Sequence, residues 1–157
     1  EFQHRLESNM NVRNYCKLEI MSLPENVSFA RACVGAFASQ LGCTLEEIDE
    51  IKLVVSEAVS NSIIHAYENR GTELITIVVS LLDGRTLEII VEDYGKGIED
   101  VARVLQPSYS SEPSRMGLGF SFMKSFMDEL EVISRPGEGT SVQMRRSFVS
   151  KDNEAYA

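Results

Sequence analysis

Two apolar runs in the middle of the sequence place the strongest restriction on its fold. They cover Leu74–Leu82 and Thr86–Asp93, and both are rich in residues that favour strands. Asp83-Gly84 stands between them, and this dipeptide is typical of a tight turn that joins antiparallel strands. We therefore predict a central β-hairpin, which requires a sheet against which the other segments pack.

Three further segments have the spacing of strands. Polar and apolar residues alternate from Asn14 to Met21, and this period of two predicts a strand with one buried face. Near the end of the chain, Glu129–Ser134 and Thr140–Phe148 flank the turn sequence Arg135-Pro-Gly-Glu-Gly139. A turn rich in Gly and Pro between two such runs predicts a second hairpin.

Three helices are predicted between these strands. The first follows a capping-box pattern, Ser22-Leu-Pro-Glu25, and stops at Gly42. The second starts at another capping box, Thr44-Leu-Glu-Glu47, and runs to the turn-rich segment Glu68–Gly71. The third covers Phe120–Met127.

The order strand, helix, helix, two strands, loop, helix, two strands predicts an α+β fold. We expect a two-layer sandwich in which helices cover one face of a mixed, mostly antiparallel sheet. The chain has 157 residues, and residues 10–150 are expected to form one domain that buries a core without a disulfide. Residues 1–9 are expected to be a flexible segment, in part a cloning remnant, and residues 151–157 a flexible tail.

Charge and cysteine content exclude several classes of function. The chain has 15 Lys and Arg against 24 Asp and Glu, a net charge of −9, whereas a protein that mainly binds nucleic acid needs a basic face. No apolar run approaches the ~18 residues of a membrane span, so we expect a cytoplasmic protein. Cys16, Cys33 and Cys43 form no ligand cluster and no even set, which argues against zinc and redox functions.

A polar pair interrupts the apolar sequence of the second predicted helix. Glu57 and Asn61 are four residues apart, so they lie about one turn apart on the same side of the helix. Two interpretations are open from this segment alone. The pair is either a solvated part of an amphipathic helix, or a general base beside a ligand of Mg²⁺, an ion that prefers oxygen donors.

Three glycine-containing turns are candidates for a nucleotide site. Asp93-Tyr-Gly-Lys-Gly97 ends a predicted strand, where the carboxylate can accept a hydrogen bond from an exocyclic amine. Met116-Gly-Leu-Gly-Phe120 precedes a helix, whose free N–H groups favour phosphate. The third turn is Gly137-Glu-Gly139-Thr140. Alone, each turn is equally consistent with an ordinary turn or hinge.

A Pro- and Ser-rich loop extends from about Ile98 to Met116. Loops of this length are uncommon in compact domains, and a lid over a binding site is a usual reason for one. We therefore predict that this segment closes over a ligand.

The order of these elements resembles the four nucleotide-binding boxes of the GHKL ATPase and kinase superfamily, which has the Bergerat fold. The resemblance extends over nearly the whole chain, from about Asn14 to Phe148. Within the superfamily, five segments are similar to the anti-sigma-F family of sporulation kinases. They are Ser28-Phe-Ala-Arg31, Ile51-Lys-Leu-Val-Val-Ser-Glu-Ala-Val-Ser-Asn61, Ile64-His-Ala-Tyr67, Arg115-Met-Gly-Leu-Gly-Phe120 and Phe126-Met-Asp-Glu129.

The resemblance implies a role for each matching residue. Glu57 corresponds to the family's catalytic base, Asn61 to its Mg²⁺ ligand, and Arg115 to a lid residue that reaches the terminal phosphate. Asp93 corresponds to the residue that reads adenine, and Arg31 to a residue that docks protein partners. The remaining residues expected around the nucleotide are His65, Gly95, Gly97, Ile98, Gly117, Leu118, Gly119, Phe120 and Thr140.

The resemblance also implies two linked activities that use ATP or ADP and Mg²⁺. A homodimer of this family binds and inhibits a sporulation sigma factor, and it phosphorylates a serine of an anti-anti-sigma protein. An anti-sigma-B-type stress-response kinase and a nucleotide-gated binding module without phosphoryl transfer are the alternatives. A two-component histidine kinase fits less well, because too few residues precede Asn14 for its dimerising helical hairpin.

Overall fold

A five-stranded sheet forms one layer of the structure. The computed structural model describes residues 11–106 and 119–148, and its strands lie in the order β1-β2-β3-β5-β4. The strands are β1 (Val12–Met21), β2 (Leu74–Leu82), β3 (Thr86–Asp93), β4 (Glu129–Arg135) and β5 (Gly139–Ser147). Every pairing between these strands is antiparallel. The predicted α+β fold with a mostly antiparallel sheet is confirmed, and the described strands contain no parallel pair.

Four α-helices occur in the described part of the chain. They are α1 (Glu25–Ala38), α2 (Leu45–Asn61), α3 (Val101–Val104) and α4 (Ser121–Phe126). Helix α1 packs against α2, and α2 also packs against α4. None of the helices in the described ranges is long and apolar enough to cross a membrane.

The long predicted loop is only partly described. It contains the short helix α3, which the sequence did not predict and which Asp100 caps by accepting a hydrogen bond from the Arg103 N–H. Residues 107–116 of the loop lie outside the described residues, as do the predicted N-terminal segment 1–9 and tail 151–157. The prediction of a lid therefore stays a prediction.

The start of α2 and the end of α1 follow the predicted capping signals. The Thr44 hydroxyl accepts a hydrogen bond from the Glu47 N–H at 3.1 Å, and the Glu47 carboxylate accepts one from the Thr44 N–H at 2.8 Å. This reciprocal capping box satisfies two N–H groups that have no partner within the helix. Gly42 ends the 3-10 turn after α1 with a φ of 71°, a left-handed conformation that favours glycine.

The capping box predicted at Ser22 is wrong. The Ser22 hydroxyl donates to the carbonyl of Arg70 and accepts a hydrogen bond from the Glu73 N–H at 3.1 Å. Helix α1 has no side-chain cap. Ser22 instead joins the end of β1 to the turn before β2, a long-range contact that competes with local capping.

The hydrophobic core lies between the helix pair α1–α2 and one face of the sheet. Alternate residues of a strand point to opposite faces, so every second residue of β2 and β3 enters this core. The fully buried apolar residues of α2 and the central strands are Ile51, Val54, Val55, Val59, Ile75, Ile77, Val79, Leu87, Ile89 and Met144. The other face carries a buried ion pair at its centre, in which Arg145 lies 2.6 Å from Glu88.

Candidate nucleotide-binding site

A cleft that is partly open to solvent lies where the end of α2 meets the end of β3 and the start of β5. The sequence predicted seven of its lining residues, namely Asn61, His65, Asp93, Gly97, Ile98, Phe120 and Thr140. It missed five others, namely Ala58, Ser62, Ala66, Lys96 and Val142. The structure therefore brings most of the predicted nucleotide residues into one place.

Asp93 ends β3 inside this cleft with its side chain almost fully buried. Its Oδ1 accepts a hydrogen bond from the Gly95 N–H at 3.0 Å, and its Oδ2 accepts one from the Ser62 hydroxyl at 3.1 Å. Burial raises the pKa of Asp93 above its ordinary value, and hydrogen bonds from Gly95, Ser62 and the Thr140 backbone offset part of that rise. These donors fix the orientation of the carboxylate.

The turn after Asp93 touches its neighbours through backbone atoms. A Cβ on Gly95 would lie 2.4 Å from the Ala66 carbonyl oxygen, and a Cβ on Gly97 would lie 2.2 Å from the Arg135 carbonyl oxygen. Gly97 also has a φ of 76°, a value that favours glycine. Both glycines therefore make the close backbone approach that the sequence predicted.

Tyr67, which follows α2 in the sequence, also contacts the turn after Asp93. Its buried hydroxyl donates to the Leu74 carbonyl at 2.6 Å and accepts a hydrogen bond from the Tyr94 N–H at 2.7 Å. A buried phenol needs such partners. The sequence singled out Tyr67 only as part of a motif, because both contacts depend on the fold.

Thr140 lies beside Asp93 in the sheet. Asp93 pairs with Thr140 across β3 and β5, and Thr140 pairs with Ser134 across β5 and β4. The Ser134 and Thr140 hydroxyl oxygens are 2.7 Å apart, and Ser134 also accepts a hydrogen bond from the Ile98 N–H at 2.7 Å. Ser134 was missed, although the predicted second hairpin already placed it near Thr140.

Glu57 lies on α2, and its carboxylate accepts hydrogen bonds from the first residues of α4. One carboxylate oxygen accepts hydrogen bonds from the Phe122 N–H at 3.1 Å and the Met123 N–H at 3.3 Å. The other accepts one from the Ser121 hydroxyl at 3.3 Å. Burial raises the pKa of Glu57, and these three hydrogen bonds counteract part of the rise. The carboxylate thus occupies the positive end of a helix dipole.

Asn61 lies one turn further along α2 and lines the cleft. Its side-chain nitrogen donates to the Gly119 carbonyl at 3.3 Å. Glu57 and Asn61 therefore both contact the segment that begins at Gly119. The interpretation of the pair as solvated residues of an amphipathic helix does not fit these contacts.

The four remaining predicted site residues are Arg115, Gly117, Leu118 and Arg31. Arg115, Gly117 and Leu118 fall in residues 107–118, outside the described residues. Arg31 is exposed on α1 and does not line the cleft, and its assignment to partner docking stays a prediction.

Solved structures of other proteins share the fold of this chain. The RsbU and RsbW domains of a Mycobacterium tuberculosis protein match with a TM-score of 0.60 and 16% identity, over 87% of this chain and 35% of that one. The histidine kinase domain of Erythrobacter litoralis EL346 matches with a TM-score of 0.51 and 24% identity, over 74% of this chain and 59% of that one. At these identities the likeness concerns the fold alone.

Sequence comparisons are more specific. The family model described as "Histidine kinase-like ATPase domain" matches residues 20–146. The "Anti-sigma F factor" of Caldanaerobacter subterraneus is 51% identical over 140 residues, which cover 87% of this chain and 96% of that protein. The "Anti-sigma F factor" of Clostridium acetobutylicum is 45% identical over 139 residues, with the same two coverages. The chain therefore belongs to the histidine kinase-like ATPase domain family and, within it, to the anti-sigma F factors.

Proposed function

We propose that the protein binds and inhibits an F-type sporulation sigma factor and uses ATP to phosphorylate a serine of an anti-anti-sigma protein. The names of its relatives support the first activity. One observation carries the second: Asn61, Asp93 and Thr140 line a single cleft, and Glu57 lies one helical turn from Asn61. A nucleotide with its base near Asp93 can place its phosphates toward Asn61.

Asp93 is the proposed adenine-binding residue. Its buried carboxylate has two oxygens that can accept hydrogen bonds, and their present donors leave further lone pairs free. An exocyclic amine is a matching donor. The backbone contacts of Gly95 and Gly97 keep the turn that carries Asp93 close to the end of α2.

Asn61 is the proposed ligand of Mg²⁺. Its nitrogen is engaged by the Gly119 carbonyl, which leaves its side-chain oxygen as the donor that a hard cation prefers. Among residues 11–106 and 119–148, no three His, Cys, Asp or Glu side chains converge on a metal site. We propose that phosphate oxygens and water supply the other ligands, and the ion would supply charge neutralisation at the phosphates.

Glu57 is the proposed general base. Phosphoryl transfer depends mainly on positioning and charge, so the base orients the serine hydroxyl of the partner and accepts its proton. Burial raises the pKa of Glu57, which makes its carboxylate a better proton acceptor. Arg115, outside the described residues, is proposed to contact the terminal phosphate.

Arg31 is the proposed docking residue for protein partners. It is exposed on α1. Arginine is frequent at the centres of protein interfaces.

We further propose that the protein acts as a homodimer in the cytoplasm, where its proposed sigma-factor partner works.

Incubation with labelled ATP, Mg²⁺ and a purified anti-anti-sigma F protein tests this function. Label should appear on the substrate and be absent from a substrate whose target serine is replaced by alanine. Asn61→Ala should abolish the transfer and weaken Mg²⁺-ATP binding, whereas Ser56→Ala, on the same helix outside the cleft, should change neither.

Sigma-factor capture in the presence of ATP or ADP distinguishes the alternatives. Binding to sigma-B in preference to sigma-F would identify a stress-response kinase. Nucleotide-dependent sigma-F binding with no label on any serine would identify a binding module without phosphoryl transfer. Absence of both binding and labelling would contradict the proposal.

A further inference from the structure

Three polar side chains lie in a row across neighbouring strands at the edge of the cleft. Asp93 on β3 is opposite Thr140 on β5, and Thr140 is opposite Ser134 on β4. Directly paired residues of antiparallel strands have side chains about 5 Å apart on the same face of the sheet. Ser134 does not line the cleft, so it can act on a ligand only through cleft residues that it contacts, which are Thr140 and Ile98.

The hydroxyl oxygen of Ser134 has three polar neighbours. The Ile98 N–H donates to it at 2.7 Å. The Gly139 carbonyl oxygen lies 3.0 Å away, and the Thr140 hydroxyl oxygen lies 2.7 Å away. All three distances are those of hydrogen bonds.

The single proton of the Ser134 hydroxyl determines the direction of each of these hydrogen bonds. A serine hydroxyl carries one proton, and a carbonyl oxygen can only accept. All three contacts are hydrogen bonds only if Ser134 donates its proton to Gly139 and accepts from both Ile98 and Thr140. The Thr140 proton is then directed at Ser134, so the part of the Thr140 oxygen that faces the cleft carries lone pairs alone.

We infer that Ser134 is a positioning residue that sets the base specificity of the nucleotide site. It holds Thr140 as an acceptor beside Asp93, which is also an acceptor. An exocyclic amine has two N–H groups and can donate one to each, whereas a carbonyl at the same position meets lone pairs on both sides. The site thus selects a 6-amino purine over a 6-oxo purine. This inference rests on the nucleotide site of the proposed function.

Equilibrium binding of ATP and of inosine triphosphate tests the inference. Inosine triphosphate carries a carbonyl in place of the amine, and neither measurement needs a protein partner. In Ser134→Ala the Thr140 proton is free to turn toward the cleft and donate to that carbonyl. The ratio of the inosine triphosphate Kd to the ATP Kd should fall about tenfold from wild type.

Ser147→Ala is the matched control. Ser147 and Thr86 form the same kind of cross-strand hydroxyl pair, with 2.8 Å between their oxygens, at the other end of β5. This variant should leave both dissociation constants unchanged. If Ser134→Ala weakens both nucleotides by one common factor, its role is only structural and the inference is overturned.

Thr140→Val gives a second, independent test that leaves Ser134 in place. If Thr140 is an acceptor, the variant loses more affinity for ATP than for inosine triphosphate, and the ratio falls. If Thr140 is a donor, the ratio rises and the inference is overturned, even if Ser134→Ala does not fold. Failure of the wild type to bind either nucleotide would contradict the proposed function itself. Normal ATP binding, with the same ratio of the two dissociation constants in these variants as in wild type, would contradict this inference alone.

Discussion

The Phe122 N–H donates a hydrogen bond of 3.1 Å to the carboxylate of Glu57, which lies 65 residues earlier in the sequence. Phe122 is the second residue of α4, where backbone N–H groups have no partner within the helix. The proposed base therefore also fixes the start of the helix that follows residues 107–118. A substitution at Glu57 can affect proton transfer, the position of α4, or both.

Glu57→Gln should separate these two effects. Glutamine keeps a carbonyl oxygen that can accept from the Phe122 N–H, but it does not act as a base. We expect phosphorylation of the partner serine to slow by about 10²–10⁴-fold, with ATP affinity and thermal unfolding close to wild type. Single-turnover phosphorylation, nucleotide titration and calorimetry measure the three quantities.

Glu57→Ala provides the comparison, because it removes the acceptor as well. It should lower the free energy of unfolding by about 1 kcal/mol, the usual effect of losing a helix cap. Phosphorylation by Glu57→Gln at nearly the wild-type rate would show that another group is the base.

Asp93→Asn should alter the pH dependence of stability. Burial raises the pKa of Asp93 in the folded protein, so the neutral carboxyl stabilises the fold below the unfolded-state pKa of about 3.9, and this contribution is lost as pH rises through the folded-state pKa. Asparagine is neutral at every pH. The free energy of unfolding of Asp93→Asn relative to wild type should therefore be higher at neutral pH than in acid, which urea unfolding across that range can measure.

The same variant should bind ATP more weakly. An amide nitrogen placed toward the exocyclic amine offers a donor to a donor, and the expected loss is about 1–3 kcal/mol. ATP affinity equal to wild type would remove Asp93 from the adenine site. If Asp93→Asn is no more stable relative to wild type at neutral pH than in acid, the hydrogen bonds to the Asp93 carboxylate outweigh the effect of burial.

Arg31→Ala should weaken protein binding and leave nucleotide binding intact. Arginine side chains at interface centres often contribute about 2 kcal/mol or more, so the Kd for the sigma factor or the anti-anti-sigma protein should rise by about thirtyfold. Arg70→Ala removes the same charge from an exposed turn before β2 and serves as the control. Equal losses in both variants would indicate a general charge effect, and a loss of ATP affinity in Arg31→Ala would contradict the docking role.

Gly97 and Gly137, which lie in two different turns, allow backbone strain and steric contact to be measured separately. Gly97 and Gly137 have nearly equal φ values of 76° and 77°. A Cβ on Gly97 would lie 2.2 Å from the Arg135 carbonyl oxygen, whereas one on Gly137 would have no atom within 4 Å. Gly137→Ala should cost about 1 kcal/mol of stability from backbone strain alone, and Gly97→Ala clearly more, with reduced ATP affinity. Equal effects in urea unfolding and nucleotide titration would show that the turn can move away from Arg135.

The sequence was sufficient to predict features that depend on residues close together in the chain. The Asp83-Gly84 hairpin forms as predicted, with Leu82 paired to Thr86. The capping box at Thr44 also forms, because both partners lie within one turn of chain. The positions of Asn61, Asp93 and Thr140 in one cleft agree with the resemblance that suggested them.

Features that depend on contacts distant in sequence were not predictable in the same way. Ser22 has a good local capping pattern, yet it bonds to residues 48 and 51 positions later. Tyr67 and Ser134 position the cleft through partners that only the folded sheet brings near them. A single π-helical turn, the π-turn Ser62–Ala66, follows α2. It has no distinct sequence signal, since it continues the apolar pattern of the helix.

That π-turn restricts the length of the chain more than the identity of its side chains. A π-turn accommodates one residue more than an α-helical turn, and here it brings the Ala66 carbonyl within 3.1 Å of the Lys96 N–H. Ile64, in the middle of the turn, is 47% exposed, so many residues can replace it. Loss of one residue between Ser62 and Ala66 can be absorbed if the turn closes to an α-helical one, whereas a further inserted residue would rotate the following segment by about 100° and separate these backbone partners. Natural variants of this site should therefore exchange residues here far more readily than they gain them.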